Sequence, residues 1–233
     1  MNTKRFIALF LLFIFAGLSI SASAENLSTD KDGVISSLRG RVVSPKFGQF
    51  SLFFDQEIRS TSNFGAFKDS RSSLFAVYDP LAWLKISGGY VFMIKEGDDS
   101  PSIRHRYILA FEETLRLSNL KFTLRERLES TCNNGYLFND EIDSDPTNLL
   151  RTRLKISYSN GEQRAVPYIY TELYNHTNRN MMLSRVRSQA GVDYTLTSSS
   201  KLTAFYQYAH YTNVATSTAP HTFGLLYTYT IGK

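Results

Sequence analysis

Arginines and carboxylates recur at every second position in several segments of this 233-residue chain. Residues two apart in a β-strand point the same way, so this spacing predicts shared polar faces. Arg125, Arg127 and Glu129 form one such run, and Arg151 and Arg153 form another. A planar guanidinium can hold a carboxylate or another anion through two parallel hydrogen bonds. We assign twelve residues to this charged surface: Glu57, Arg59, Arg104, Arg106, Glu112, Arg125, Arg127, Glu129, Arg151, Arg153, Arg185 and Arg187.

Hydrolysis is the other chemistry that the polar residues suggest. The chain has four histidines, and one predicted loop carries four acids. Catalysis requires a nucleophile, a base and a group that orients the base, and no spacing here fixes such a set. There is also no cluster of Cys and His residues that would indicate a metal site. We therefore assign no catalytic, metal-binding or cofactor-binding residue. The residues considered are His105, His176, His210, His221, Asp140, Glu141, Asp143 and Asp145.

Ten segments predict β-strands, because β-branched and aromatic residues are concentrated between turn residues. Most reach the ~9–11 residues with which a tilted strand crosses a bilayer, whereas globular strands usually have about five or six. Their apolar residues take one parity and their charged residues the other, except that Glu113 and Glu126 fall on the apolar parity. The ten segments are Gln49–Arg59, Ser72–Tyr78, Leu84–Lys95, Ile103–Leu117, Leu120–Thr131, Leu149–Tyr158, Val166–Asn175, Met182–Thr195, Lys201–Tyr211 and His221–Ile231.

The connections between these segments alternate between short and long. Asp79–Trp83 and Ser118–Asn119 are tight, whereas Ser60–Arg71, Cys132–Asn148 and Thr212–Pro220 are long. A transmembrane barrel has short periplasmic turns, longer external loops and an even number of strands. We therefore expect the apolar face to meet lipid and the charged face to line a lumen. Glu113 and Glu126 would then need a bulge that shifts the register, or a place near the membrane surface.

The charged interior has two interpretations. A narrow barrel is nearly filled by side chains, so arginines and carboxylates would join strands across it. Alternatively, the arginines would form a basic lumen that passes or binds an anion. We favour ion pairing, because a small barrel leaves little free space.

The N-terminus has the pattern of a secretory signal peptide. Lys4 and Arg5 precede an apolar run, and Ala22 and Ala24 form a cleavage site. We expect residues 1–24 to be removed, residues 25–48 to form a lead-in or an extra strand around Val34–Val43, and residues 49–233 to form the barrel. Removal of residues 1–24 lowers the net charge from +5 to +3. The basic residues form no run, which argues against nucleic-acid binding.

Several short motifs follow one another in a recognisable order. They are Glu57-Ile58-Arg59, Gly89-Tyr90, Arg125–Glu129, Arg151–Leu154, Tyr168–Glu172, Arg187, Gly191–Tyr194 and Leu202–Tyr208. In this order the chain resembles the bacterial outer-membrane barrel family labelled domain of unknown function 2490. The resemblance covers most of residues 50–231. It implies an outer-membrane barrel and no particular activity.

The sequence as a whole predicts an all-β, antiparallel, up-and-down transmembrane β-barrel. We expect about ten strands, or alternatively twelve, around a small charged lumen. The expected surroundings are outer-membrane lipid and lipopolysaccharide, with no cofactor, and a small anionic solute is the ligand that the basic-lumen alternative implies. We expect a non-enzymatic role, as a narrow channel, a binding protein or a structural component. The alternatives are an outer-membrane hydrolase, either a protease or a phospholipase, acting at the external rim, and a soluble periplasmic sandwich.

Overall fold

The alternating segments form a closed barrel in the computed structural model, which describes residues 33–61, 67–95, 101–136, 143–161, 163–212 and 219–232. Within these residues no helix is long and apolar enough to cross a membrane. The eleven strands of the described residues are β1 (Val34–Val43), β2 (Phe50–Thr61), β3 (Phe67–Leu81), β4 (Leu84–Lys95), β5 (Ser102–Leu117), β6 (Leu120–Tyr136), β7 (Asp143–Tyr158), β8 (Ala165–His176), β9 (Met182–Thr195), β10 (Ser200–Tyr211) and β11 (His221–Thr230).

The strand number differs from both predicted values. All ten predicted strands are present, and the segment around Val34–Val43 is an eleventh strand, β1. Each strand pairs antiparallel with the next one in sequence, and the barrel closes between β1 and β11. An up-and-down barrel with an odd number of strands must close with two strands that run the same way. Accordingly, β1 and β11 pair in parallel, from Val34 opposite His221 to Val43 opposite Thr230.

The two ends of the barrel carry different connections. At one end, here called the turn end, two to six residues join the strands, and two turns have only two residues, Ala82–Trp83 and Ser118–Asn119. At the other, the loop end, the connections have five to nine residues. Two predicted loops, Ser60–Arg71 and Cys132–Asn148, were too long, because β2, β3, β6 and β7 continue into them. The difference between the ends is therefore smaller than the sequence indicated.

The parallel closure places the two ends of the barrel chain on opposite sides. Gly33 precedes β1 at the loop end, whereas Thr230 ends β11 at the turn end. If the barrel spans a membrane, we expect a thiol-reactive reagent added to one side to label a cysteine at position 33 or at position 232, but not both. Labelling of Gly33→Cys and Gly232→Cys in intact and permeabilised cells measures this, in a Cys132→Ser background. Equal labelling from one side would contradict the parallel closure.

The faces of the strands divide by parity. Leu38 on β1 and Tyr107 on β5 point outward and are 63% and 58% exposed. The inward side contains a small apolar cluster, in which Phe75, Val91, Met93 and Ile108 are buried and Phe53 packs against them. Glu113 and Glu126 point outward and are exposed, in an unbroken register with Leu84, Leu124, Phe111 and Thr152. The expected bulge beside these two carboxylates is therefore absent from the described strands.

Glycines on the inward face make room for aromatic rings from the next strand. Gly191 on β9 lies opposite Tyr168 on β8 and Phe205 on β10. A Cβ atom at this position would lie 2.7 Å from the backbone oxygen of Ala204 and 2.7 Å from the Tyr168 ring.

Because the Ala204 oxygen belongs to the backbone, it cannot move away at low cost. We expect Gly191→Ala to lower the free energy of unfolding by about 1–3 kcal/mol, the usual cost of overpacking. Urea unfolding in detergent micelles measures this, with Gly40→Ala as the control, because a Cβ at Gly40 meets no atom within 4 Å. Equal effects of the two substitutions would contradict the packing argument.

Candidate functional site

Two buried carboxylates organise the charged interior. Glu172 on β8 is 0% exposed and Glu129 on β6 is 3% exposed. Glu172 accepts hydrogen bonds from Arg125 at 2.6 Å, from Arg151 at 2.8 Å and from the Tyr174 hydroxyl at 2.9 Å, and also from Arg187. This set satisfies a carboxylate that has no contact with water.

Arg151 joins the two carboxylates into one network. Its Nη2 atom donates to Glu172 and its Nη1 atom donates to Glu129. Glu129 also pairs with Arg127 at 2.7 Å and lies 3.4 Å from Arg106. The network therefore links β5, β6, β7, β8 and β9. We call it the arginine belt, and its members are Arg106, Arg125, Arg127, Glu129, Arg151, Glu172 and Arg187.

The strand register explains why these carboxylates are needed. Arg125 lies directly opposite Arg153, and Arg127 lies directly opposite Arg151, on β6 and β7. Like charges at facing positions repel one another and destabilise a sheet. Glu172 and Glu129 reduce that repulsion by placing negative charge between the guanidinium groups. The belt still holds five cations against two carboxylates.

The arginine belt meets the apolar cluster across the lumen. The Arg127 guanidinium from β6 lies over the Phe75 ring of β3, 5.9 Å from its centroid. Phe75 stacks on Phe53 at 4.7 Å, and Arg41 lies 4.4 Å over the Phe53 ring. Because β4 and β5 lie between β3 and β6, the Arg127–Phe75 contact crosses part of the interior, whereas the other two contacts join neighbouring strands. Side chains of the belt and of the apolar cluster therefore meet inside the barrel.

The inward face of β1–β3, here called the β1–β3 wall, has a smaller excess of arginines over carboxylates than the belt has. Arg41 holds Asp55 through two bonds of 2.6 and 2.7 Å, and Arg39 lies 2.5 Å from Glu57. Asp69 on β3 accepts from Arg59 at 2.8 Å. Paired guanidinium and carboxylate groups of this kind fix neighbouring strands to one another.

Asp69 also accepts a hydrogen bond from Arg71, which stands two residues further along β3, at 3.0 Å. On this wall four arginines face three carboxylates. The excess of positive charge is therefore concentrated on the opposite side, along β5–β9.

A cavity of about 790 Å³ opens below the belt toward the turn end. Its lining includes the Arg153 and Lys155 side chains of β7 and the residues of the β5/β6 and β7/β8 turns. Six cationic side chains and two carboxylates contribute to it. We call this cavity the vestibule. Its charged residues are Arg41, Arg116, Lys121, Arg153, Lys155, Lys201, Glu112 and Asp193.

Three of the six vestibule cations form only long ion pairs. Lys155 and Lys201 share one carboxylate, that of Asp193, at 3.8 and 3.6 Å. Arg153 lies 3.3 Å from Glu112. These separations exceed those of the belt around Glu172, and the vestibule has more cations than carboxylates.

Two further vestibule cations face each other directly. Arg116 on β5 is opposite Lys121 on β6, and neither makes an ion pair within the described chain. Among the described residues, no carboxylate forms an ion pair with both of them as Glu172 does with the belt arginines, and Glu112, which lines the same cavity, pairs with Arg153. The vestibule therefore presents uncompensated positive charge to whatever enters it.

The structure places the twelve predicted charged residues on the inward parity of their strands. Eight belong to the belt or the vestibule: Glu129, Glu112 and the six arginines that form ion pairs with Glu129, Glu172 or Glu112. Glu57 and Arg59 belong to the β1–β3 wall. Arg185 donates to the Tyr211 hydroxyl at 3.2 Å and lies 3.6 Å over the Tyr174 ring, and Arg104 has no ion-pair partner among the described residues.

Sequence reasoning missed Glu172 as a site residue. On β8 it shares its parity with Tyr168, Tyr170 and Tyr174, so the inward face of this strand reads as aromatic rather than charged. The available signal was the match of Glu172 in register to Arg153 on one side and Arg187 on the other. Four further charged residues were missed. Arg39 and Arg41 lie in the segment that was assigned to the lead-in, and Asp69 and Arg71 lie in the segment that was assigned to a loop.

The residues considered for hydrolysis are not brought together in the described chain. His105 and His221 point outward, and each hydrogen-bonds with a tyrosine, Tyr90 and Tyr206 respectively. His176 ends β8 and His210 lies outward on β10.

The acids considered with them fall at the β6/β7 connection. Asp143 and Asp145 belong to β7 rather than to the predicted external loop, and Asp140 and Glu141 lie outside the described residues. Within the described ranges, no three His, Cys, Asp or Glu residues are grouped in a way that could hold a metal ion.

Comparisons with known proteins give the following matches. The sequence model of a family described as "Protein of unknown function (DUF2490)" matches residues 37–219. No curated protein matches the chain.

Solved barrels match at low identity. The NanC porin is 12% identical, with a TM-score of 0.48, over 75% of this chain and 85% of that one. The β-domain of the Bordetella autotransporter BrkA is 15% identical, with a TM-score of 0.45, over 77% of this chain and 83% of that one. An anion-selective porin from Comamonas acidovorans is 13% identical, with a TM-score of 0.40, over 80% of this chain and 54% of that one.

Proposed function

This chain belongs to the family of proteins of unknown function DUF2490, and we propose that it is an outer-membrane barrel that binds small anionic solutes in its vestibule. The family description assigns no activity, so the proposal is built on the geometry of the barrel. The observation that carries it is the facing pair Arg116 and Lys121, together with Lys155 and Lys201 sharing one carboxylate.

The outer surface supports a membrane location. Leucine, isoleucine, valine and phenylalanine side chains are exposed on nine of the eleven described strands, all except β4 and β10. A soluble protein rarely exposes so continuous an apolar surface. Outward tyrosines lie near both ends, such as Tyr78 and Tyr229 near the turn end and Tyr107 nearer the loop end. Such belts of aromatic side chains are typical of the interfaces between membrane and water.

The short connections support an orientation with the turn end in the periplasm, where outer-membrane barrels have their tight turns. The vestibule would then open to the periplasm. Positive charge on a concave, partly enclosed wall attracts anions more strongly than the same charge on an open surface. Arg116 and Lys121 can turn toward a ligand without leaving a carboxylate unpaired, because neither makes an ion pair within the described residues.

The arginine belt supports a binding role rather than open conduction. Its carboxylates are inaccessible to water, and its side chains meet the apolar cluster in the middle of the lumen. An ion that crossed the barrel would have to separate charge-assisted hydrogen bonds, which are about twice as strong as neutral ones. We therefore expect the resting barrel to be closed.

Planar-bilayer recording and titration calorimetry test the two parts of this proposal separately. We expect no steady ionic current from the folded protein at 0.15 M salt. We expect citrate or pyrophosphate to bind at low ionic strength, and the affinity to fall as salt is added because the Debye length shortens to about 8 Å. A steady current would show that the belt does not close the lumen. Absence of anion binding by folded protein, or equal binding of spermidine, would contradict the binding role.

A further inference from the structure

Two carboxylates on the outer surface are out of place in a membrane. Glu113 on β5 and Glu126 on β6 point outward and are exposed. Within the described chain, neither one makes a hydrogen bond or an ion pair. Their outward neighbours in the register and along the strands are mostly apolar, including Phe111, Leu124 and Leu128. Ionisable residues that face lipid are rare, because nothing there replaces their hydration.

Glu126 lies deep in the apolar band and not at its edge. It is the fourth outward residue from the turn end of β6, after Leu120, Phe122 and Leu124. Six residues of a strand tilted by ~40° rise roughly 15 Å, which is near the middle of a band about 25 Å tall. A glutamate side chain is too short to reach the membrane surface from this depth. Water at the interface therefore cannot satisfy this carboxylate.

Hydroxyl groups continue the polar row beside Glu126. Thr152 on β7 is directly opposite Glu126, and Thr171 on β8 is directly opposite Ser188 on β9. In a tilted barrel, positions at one depth shift by about one residue per strand. Leu173 on β8 is the register partner of Thr152, and it lies two strands away from Glu126. Thr171 stands two residues nearer the turn end than Leu173. This offset compensates for the tilt over two strands, so Thr171 lies at the same depth in the membrane as Glu126. The polar row therefore has a hydrogen-bond acceptor, the Glu126 carboxylate, on the β6 side of β7. It has hydroxyl donors, those of Thr171 and Ser188, on the β8 side.

This arrangement is complementary to itself. A two-fold axis parallel to the barrel axis and passing beside β7 places β7 of one copy against β7 of another, and β6 against β8. Such an axis would bring Glu126 of one copy to the Thr171 hydroxyl of the other, twice. An interface of this kind uses the same surface on both subunits, which is the commonest form of homodimer.

We infer that the outer face of β5–β9 packs against a second copy of this chain, with Glu126 accepting a hydrogen bond from Thr171 of the other copy. A second copy suits this face better than lipid, because lipid tails offer no donor. It also suits it better than a basic partner, because hydroxyl donors already stand at the symmetry-related positions. Polar groups of this kind join transmembrane segments by hydrogen bonding across the interface. The inference depends on the membrane location in the proposed function, but not on anion binding.

Cross-linking of single-cysteine variants in native membranes tests the position of the axis. In a Cys132→Ser background, we expect Thr152→Cys to form a cross-linked dimer with copper phenanthroline or a short bismaleimide. Leu38→Cys is the matched control, because it points outward on β1, across the barrel from β7. Cross-linking of both variants to the same extent, or of neither, would overturn the inference.

Glu126→Leu tests the role of the carboxylate. We expect the dimer to dissociate at least tenfold more readily, as measured by native mass spectrometry or sedimentation in detergent, while Glu126→Gln keeps most of the association. If Glu126 faced lipid instead, the Glu126→Leu variant would resist urea better than the parent protein, and the mass of its complex in detergent would equal that of the parent. That result would overturn the inference. Binding of citrate should be the same in parent protein and Glu126→Leu. Loss of association with unchanged citrate binding would separate this inference from the proposed function.

Discussion

Replacement of Glu172 by glutamine is expected to lower the free energy of unfolding by about 3–5 kcal/mol, the cost of removing one partner from a buried ion pair. Glutamine has nearly the same shape, so the effect reports charge rather than packing. The substitution leaves Arg125, Arg151 and Arg187 without the carboxylate that they share. Urea unfolding in lipid or detergent, followed by the change in gel mobility between folded and unfolded barrel, measures the loss.

Glu112→Gln is the matched control for Glu172→Gln. Glu112 is also an inward glutamate that faces an arginine, but its side chain is 25% exposed and its contact with Arg153 is 3.3 Å long. Partly exposed pairs of this kind contribute roughly 0–1 kcal/mol. Equal losses from the two substitutions would contradict the central role of Glu172.

A double variant distinguishes charge imbalance from general damage. Arg125→Met removes one of the cations that Glu172→Gln leaves unpaired. We expect Glu172→Gln/Arg125→Met to be more stable than Glu172→Gln alone, because substitutions within one network are not additive. A double variant that is less stable than either single variant, by the sum of their effects, would show that the two side chains act independently.

Ten strands of this barrel could be predicted from sequence because they share the same alternation of apolar and polar residues. The segments Leu84–Lys95 and Met182–Thr195 have the predicted bounds in the structure. The segments that were predicted too short, such as Ser72–Tyr78, continue through serine, aspartate and arginine, and these residues read as loop. On β3 these polar residues point inward or lie near the loop end. Arg71 and Asp69 there face Glu57 and Arg59 of the neighbouring strand β2.

The eleventh strand was harder to predict for a topological reason. Val34–Val43 alternates weakly, with Ser37, Arg39 and Arg41 on its inward parity and Gly40 on its outward one. Its place in the barrel depends on its pairing with β11, nearly two hundred residues away, and no local pattern specifies that pairing. The expectation of an even number of strands also argued against it, because that rule describes barrels that close antiparallel.

The candidate site could be predicted only in part. Parity assigned Arg125, Arg127, Arg151 and Arg153 to one interior, and the structure places them there. Whether such residues are paired or free depends on which carboxylate crosses from a more distant strand. Arg125 on β6 reaches past β7 to Glu172 on β8, whereas Arg116 and Lys121 make no ion pair with the described residues. That difference separates the paired arginines of the belt from the cations of the vestibule.

The vestibule lysines should show the second large effect. We expect Lys121→Gln/Lys201→Gln to weaken citrate or pyrophosphate binding by roughly 30-fold. Removing a unit charge from a partly hydrated site costs about 1 kcal/mol of attraction, and 1.4 kcal/mol corresponds to a factor of ten. Titration calorimetry at low salt measures the change, and the difference between parent and variant should shrink as salt is added.

The stability of the barrel should not fall together with anion binding. Lys121 is repelled by Arg116 at the facing position of β5, so its neutralisation removes an unfavourable pair. We expect the variant to be as resistant to urea as the parent protein, or slightly more so. Loss of binding in a fully folded barrel would then be a property of the vestibule and not of misfolding.

Arg164→Gln provides the control for net charge. Arg164 is exposed in the connection between β7 and β8, at the same end of the barrel, and does not line the vestibule. Its replacement lowers the overall charge without changing the cavity, so anion binding should change less than twofold. An effect as large as that of the vestibule variant would mean that anions respond to the charge of the whole turn end. Binding would then be a general attraction, and Arg116, Lys121, Lys155 and Lys201 would not form a site.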